Sequence, residues 1–128
     1  MTQTKLSIRK VAAIGEEIGL ELGTQMVKGY QEANPSDVHS YLIGREIIDQ
    51  ILAQPGCVGI KFFNAYNEIG DKTLVYTGVN LNGESIIEIN VVNPFGSLAT
   101  EKGIVADRVR TANGTSRIDG EDEWWSND

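Results

Sequence analysis

Chemistry in this 128-residue chain would have to start from a single cysteine and a single histidine. With Cys57 as nucleophile and His39 as general base, the pair would form a thiolate dyad, in which the base withdraws the proton that keeps sulfur inert. Each residue also has a plainer reading. Cys57 follows Pro55-Gly56 at the first residue of a strand-like run, where a free cysteine commonly serves as a small apolar side chain. His39 has no acid at a spacing that would orient it. Asp107 stands beside Arg108 near the end of a short apolar run and reads either as a site residue or as half of a surface ion pair. His39, Cys57 and Asp107 are thus the residues expected at the mouth of a pocket, between helices and sheet, if the chain is a small enzyme or ligand-binding domain.

Other chemistries find less support. A metal site is not expected, because one Cys and one His leave carboxylates to complete it and no spacing matches a ligand pattern. Gly56 and Gly59 do not form a phosphate-cradling glycine motif, so no cofactor is expected. Glu16, Glu17 and Glu21 read as the hydrated face of a helix.

The residues with more to say about binding are glycines and tryptophans. Ile8, Val11, Ala12, Gly15, Ile18, Gly19, Leu22, Met26 and Tyr30 share one side at 100° per residue, which predicts a long amphipathic helix over 8–30. Ser7 would cap it, and Asn34-Pro35 would end it, since the residue before proline avoids helical backbone. Gly15, Gly19 and Gly23 recur every fourth residue on or beside the apolar face, each at a cost of about 1 kcal/mol against alanine. Such a row admits the close approach of another backbone, either a partner helix or a second copy of this chain. It equally suits a helix seated on its own sheet, or two shorter helices broken near a glycine. Charges at Glu16, Glu17 and Glu21 interrupt the apolar run well before the roughly 20 residues a membrane span requires.

At the other end, Trp124-Trp125 follow Glu121-Asp122-Glu123. Large aromatics anchor interfaces, and flanking acids would steer them to a basic rim. The alternative is that one indole folds back onto the sheet. The residues around them, 111–128, are acidic, polar and glycine-bearing, and are expected to form a flexible tail after a single domain at 1–110.

That domain is expected to be α+β: the long N-terminal helix and a shorter helix at Arg45–Gln54, packed on a three-stranded antiparallel meander. The stretch 38–44 reads as a turn of helix or an extended connector. From Cys57, apolar Val58, Ile60, Phe62 and Tyr66 alternate with Gly59, Lys61 and Ala65, the pattern of a half-buried strand. Thr73–Asn80 follows a turn at Gly70-Asp71. Asn82-Gly83 then announces a hairpin into a third strand at Ser85–Val92. A fourth short strand is read at Gly103–Val109.

The run ILAQPGCVGI, its aromatic strand, and LVYTGVNLNGE resemble a group of short uncharacterised bacterial proteins. The resemblance covers roughly Tyr41–Glu84, with GIVAD at Gly103–Asp107. It implies a shared structural unit there and no activity.

Composition sets the remaining bounds. A hydrophobic content of 41% with 23% charged residues is ordinary for a globular domain. The formal net charge of −7 argues against nucleic acid as a partner, since phosphate contacts need a basic surface. From Thr111 onward five acids stand against Arg117, so the acidity is concentrated in the tail. The first residues have no apolar core of a secretory signal, and one cysteine forms no internal disulfide, so a cytoplasmic protein is expected. The function expected first is non-enzymatic: protein–protein interaction or self-assembly into a homo-oligomer through Gly15, Gly19, Gly23, Trp124 and Trp125. The pocket enzyme is the alternative.

Overall fold

The structure, a computed structural model, describes residues 10–113 and Trp124. It is α+β. In chain order its elements are a 3-10 turn at Val11–Ala13, α1 (Gly19–Ala33), β1 (Val38–Leu42), α2 (Arg45–Leu52), β2 (Gly59–Tyr66), β3 (Lys72–Val79), β4 (Glu88–Val92), β5 (Leu98–Lys102), β6 (Val105–Ala106) and β7 (Arg110–Asn113). They group into two compact units, with changes of unit at Ile14/Gly15, Leu42/Ile43 and Arg108/Val109.

The first unit is built on β3. It pairs antiparallel with β2 along its whole length, from Gly59↔Val79 to Tyr66↔Lys72, and on its other side with β6 through Tyr76↔Ala106 and Thr77↔Val105. β4 and β5 form a separate antiparallel ladder, from Glu88↔Lys102 to Val92↔Leu98. Buried apolar side chains are Ile51 of α2, Tyr76 and Val79 of β3, and Ile86. The core therefore lies where α2 crosses β3.

Gly78 makes that crossing close. A Cβ there would stand 2.7 Å from Cys57 Sγ, 2.9 Å from Gln54 Nε2 and 3.1 Å from Ile51 Cγ2, all shorter than a relaxed contact between such atoms. Gln54, itself buried, joins three segments. Its Nε2 donates to the Ile51 carbonyl (3.1 Å) and its Oε1 accepts the Ile104 N–H (2.8 Å), so both ends of a buried amide are satisfied. The backbone at 103–104 is thus held against the end of α2.

One turn recurs three times. Asn67, Asn80 and Asn93, spaced 13 residues apart, each begin an Asn-x-x-Gly-x loop. In each, Asn Oδ1 accepts backbone N–H groups two and four residues on: Ile69 and Asp71, Asn82 and Glu84, Phe95 and Ser97. The Asn N–H donates to the carbonyl four residues on, and the Gly N–H donates back to the Asn carbonyl. The glycines have φ of +90° (Gly70), +78° (Gly83) and +83° (Gly96), a conformation that costs other residues roughly 1–2 kcal/mol. Each loop exposes one large apolar side chain: Ile69 (80%), Leu81 (70%) and Phe95 (91%).

The meander departs from expectation at its third strand. Ser85 bridges Val79, and the Ile86 N–H donates to the Gly78 carbonyl (2.8 Å). Beyond Ile87 the chain leaves β3 and pairs with β5 instead. The place beside β3 goes to β6, within the run read as a fourth strand. The cause is the close passage of the returning chain: the Gly103 N–H donates to the Ile87 carbonyl (2.9 Å), and a Cβ on Gly103 would lie 2.1 Å from the Ile86 carbonyl oxygen. Two backbones meet there with no room for a side chain.

The second unit holds α1, β1, β7 and Trp124. β1 and β7 pair antiparallel, with Tyr41↔Thr111 and Leu42↔Arg110 in register and a shift between Val38 and Ser40. The stretch read as a turn of helix or a connector is thus a strand. The tail boundary expected at residue 110 falls inside β7, so 111–113 belong to this ladder.

Gly103→Ala should destabilise the fold by on the order of 3 kcal/mol, at the upper end for one methyl group, because backbone and not a flexible side chain must yield. Urea denaturation followed by far-UV circular dichroism measures it. A loss below about 1 kcal/mol would show that the passage relaxes easily.

Candidate interaction site

The helix expected over 8–30 begins only at Gly19. Gly15 has φ +118° and Gly19 φ +83°, values a helix interior excludes, so the chain turns twice before α1 starts. The first two glycines of the row therefore serve backbone direction. Residues 1–9, including Ser7 and Ile8, lie outside the described residues. At its other end α1 stops as Asn34-Pro35 requires, with the Asn34 N–H and Nδ2 both directed to the Tyr30 carbonyl. Asp37 then ties helix to strand: its carboxylate accepts the Tyr30 hydroxyl and the Val38 N–H.

Gly23 alone of the row sits inside the helix at an approach. A Cβ there would lie 3.5 Å from Trp124 Cη2, 3.8 Å from Trp124 Cζ3 and 3.9 Å from Ile18 Cδ1. The benzo edge of the indole rests on the notch that glycine leaves. On a 100° wheel Gly19, Leu20, Met26, Val27 and Tyr30 all lie within about 60° of Gly23, so Trp124 meets the middle of the apolar face. That face is incompletely covered. No residue of α1 is buried, Leu20 and Met26 are 69% and 58% exposed, and Trp124 keeps 46% of its surface. Gly23 and Trp124, both expected at an interaction surface, are thus in contact. Trp125 lies outside the described residues.

The pocket candidates occupy other positions. His39 sits in β1 at the register shift, and its Nε2 is buried without a hydrogen-bond partner among the described residues. Cys57 lies in the turn before β2, half-buried against Gly78, with its thiol donating to the Gly59 carbonyl (3.3 Å). Asp107 follows β6. Its carbonyl accepts the Tyr76 hydroxyl (3.2 Å), and its carboxylate accepts Arg108 Nη1 (2.9 Å). No group of three or more His, Cys, Asp or Glu side chains among the described residues could hold a metal ion. Nor is any described helix long and apolar enough to cross a membrane.

Arg108 was not anticipated as more than a neighbour of Asp107. It adopts φ +67°, the only non-glycine described residue at positive φ, and its guanidinium grips Glu68 in the first Asn-x-x-Gly loop through two bonds of 3.1 and 2.9 Å. Those bonds, then Glu68's own backbone N–H and the guanidinium charge, hold the Glu68 carboxyl down to about 2. The same pairing raises the affinity of Arg108 for its proton. Burial, and next the Asp107 charge, push the Tyr76 hydroxyl up.

A carboxylate depressed in the folded state contributes stability that is present above its unfolded value, near 4.5, and is lost as pH falls toward 2. Glu68 is solvent-exposed, so the contribution to global stability is small. NMR titration of the Glu68 side chain should give a midpoint near 2, and Arg108→Lys, which replaces the two-bonded fork with a point charge, should raise it toward 4. A wild-type midpoint near 4 would remove the clamp.

The row also predicts opposite outcomes for two alanine substitutions. Gly23→Ala should stabilise α1 by about 0.5–1 kcal/mol, since the added methyl meets Trp124 at ordinary contact distance. Gly19→Ala should destabilise by about 1–2 kcal/mol through its positive φ. Thermal melts of the two variants give the comparison, and equal signs would mean that α1 starts elsewhere.

Set beside known proteins, the chain finds no likeness: no protein-family model matches it, and no curated protein or solved structure matches it either.

Proposed function

We propose that this chain is a non-enzymatic interaction protein that associates with copies of itself, or with another protein, through the apolar face of α1. The observation that carries the reading is that face: a 15-residue amphipathic helix with none of its residues buried. Surface apolar residues are ordinary when scattered, but a continuous helical stripe is the form in which helices are recognised in grooves and bundles. Covering a side chain such as Leu20 or Met26 contributes about 1.5–3 kcal/mol. Leu20, Leu22, Met26 and Tyr30, all exposed, reach at most roughly 6–12 kcal/mol together, against an association cost of about 4–15 kcal/mol. Association in the micromolar range or weaker follows. A cytoplasmic location and kinship with the short bacterial proteins it resembles belong to the same proposal, on the sequence alone.

Charge separates the two kinds of partner. Copies of a chain at −7 repel one another, so self-association should strengthen with salt, whereas binding to a basic partner should weaken. The measurement is solution mass by analytical ultracentrifugation from about 1 μM to 1 mM, a span chosen around the micromolar scale, at low and high salt. Met26→Lys should raise the concentration needed for association at least tenfold, a loss of about 1.4 kcal/mol or more, while Glu32→Lys should not. Association insensitive to Met26→Lys would remove α1 as the surface, and a monomer throughout would remove self-assembly.

A further inference from the structure

β2 has an unused side. β3 pairs with it along one edge, and no strand lies along the other among the described residues. The Asn67 N–H donates to the Asp71 carbonyl (2.8 Å), which sets the alternation of the ladder. Ala65, Phe63 and Lys61 bond to β3, while Ile60, Phe62, Asn64 and Tyr66 turn their backbone N–H and C=O groups outward. Natural sheets guard such an edge with charges, proline or bulges. β2 runs eight residues without a proline or a register shift. Its one charge, Lys61, has its ammonium bound to the Gly83 carbonyl (2.8 Å). In place of guards the edge carries aromatics: Phe62 is 49%, Phe63 42% and Tyr66 77% exposed.

We propose that a second copy of this chain pairs on that edge, β2 against β2, antiparallel about a two-fold axis. The strand is self-complementary in one register. With Ile60 opposite the partner's Tyr66 and Phe62 opposite the partner's Asn64, all four outward residues exchange hydrogen bonds. Phe63 then meets its own counterpart in a non-hydrogen-bonded pair, where facing side chains approach most closely. Shifting either strand by two residues leaves outer pairs unmade. Lys61 falls opposite the partner's Ala65, so the two ammonium groups start from positions about 14 Å apart along the strand, beyond the roughly 8 Å over which charges act at physiological salt. β2 contains no acid, so copies of a chain at −7 meet here without opposing carboxylates. A two-fold contact closes on itself, joining the two three-stranded sheets into one of six and stopping at a dimer.

An edge of eight residues is about 27 Å long and covers less than the roughly 800 Å² per partner of a standard interface. The pair should therefore form on the order of 100 μM or above, weaker than the contact through α1. The two surfaces share no residue, so neither reading depends on the other.

The test is ultracentrifugation of the full chain carrying Met26→Lys, which disables α1 and leaves β2 to be read alone. This parent should dimerise below about 1 mM. Phe63→Lys and Phe63→Glu each set like charges face to face, and each should raise the concentration needed at least tenfold. Mixed in equal amounts, the two should pair at or below the parent's concentration, a recovery that damage to the fold cannot give. Asn64→Pro removes an outward N–H without touching the ladder to β3 and should abolish the dimer. As a check that needs no charge in the strand, Phe63→Cys should cross-link under mild oxidation at least tenfold faster than Ala65→Cys, because only residue 63 faces itself at a disulfide's span. A parent that stays monomeric to 1 mM overturns the proposal and leaves the edge to a foreign strand. So does a dimer indifferent to both charges, a mixture that fails to recover, or equal cross-linking of the two cysteine variants.

Discussion

The first unit depends on one close approach, that of the end of α2 to the backbone of β3 at Gly78. With no side chain at Gly78, Ile51 can be wholly buried, Cys57 can turn the chain into β2, and the Gln54 amide reaches the Ile104 N–H. A buried amide whose two ends are both engaged is worth more as a constraint than as net stabilisation. Each bond contributes about 1 kcal/mol, but an unmatched partner would cost more than that. Gln54 holds residue 104, next to Gly103 at its close contact with Ile86; β6 follows at once and pairs with β3, while β4 pairs with β5. The topology after Ile86 follows from a contact made near residue 54.

Against that long-range constraint, the three Asn-x-x-Gly-x loops are local. Each closes on its own asparagine, so the register of the flanking segments is fixed by residues within five positions of one another. Each loop thus sets the pairing of its flanking segments with little help from a core. The same economy leaves Ile69, Leu81 and Phe95 at exposed tips. The first tip is further fixed by the Glu68–Arg108 fork, which ties the loop to the second residue after β6 at the expense of a left-handed backbone at Arg108.

Much of this was legible in the sequence, and what was not has identifiable causes. Alternation marked β2, Val, Thr and Tyr content after the Gly70-Asp71 turn marked β3, and Asn82-Gly83 marked the turn that follows it. Pro35 and Pro55 bounded the helices because proline pushes the residue just before it out of helical backbone. The long helix failed because hydrophobic periodicity runs through Gly15 and Gly19 as though they were helical, while their φ values are decided by where the chain must go. The third strand is present as β4, but its expected pairing with β3 failed, because nothing local to Ser85–Val92 reports that Gly103 will return to Ile86. The 13-residue spacing of the asparagines is a sequence signal too, but an Asn-Gly pair occurs in only one of the three loops, so the usual hairpin mark does not reveal the repeat. Of the candidate site, Gly23 and Trp124 were each picked out by residue type, but their meeting spans about a hundred residues and no pattern encodes it.

α1 has little to hold it in place. A lone helix of 15 residues is marginal in water even with good formers, and this one contains Gly19, Gly23 and Gly29. With no residue buried, packing does little to offset those glycines. The Tyr30–Asp37 bond and the Asn34 contacts steady the last turn, and Trp124 steadies the middle. A helix held at these few points retains an apolar face that its own unit does not use up. A sequence needing only a covering helix would gain by replacing Gly23 with alanine, which Trp124 would tolerate at normal contact. Gly23 is therefore not demanded by the ring that rests on it: a Cβ there would stand 3.5 Å from Trp124 Cη2, an ordinary contact.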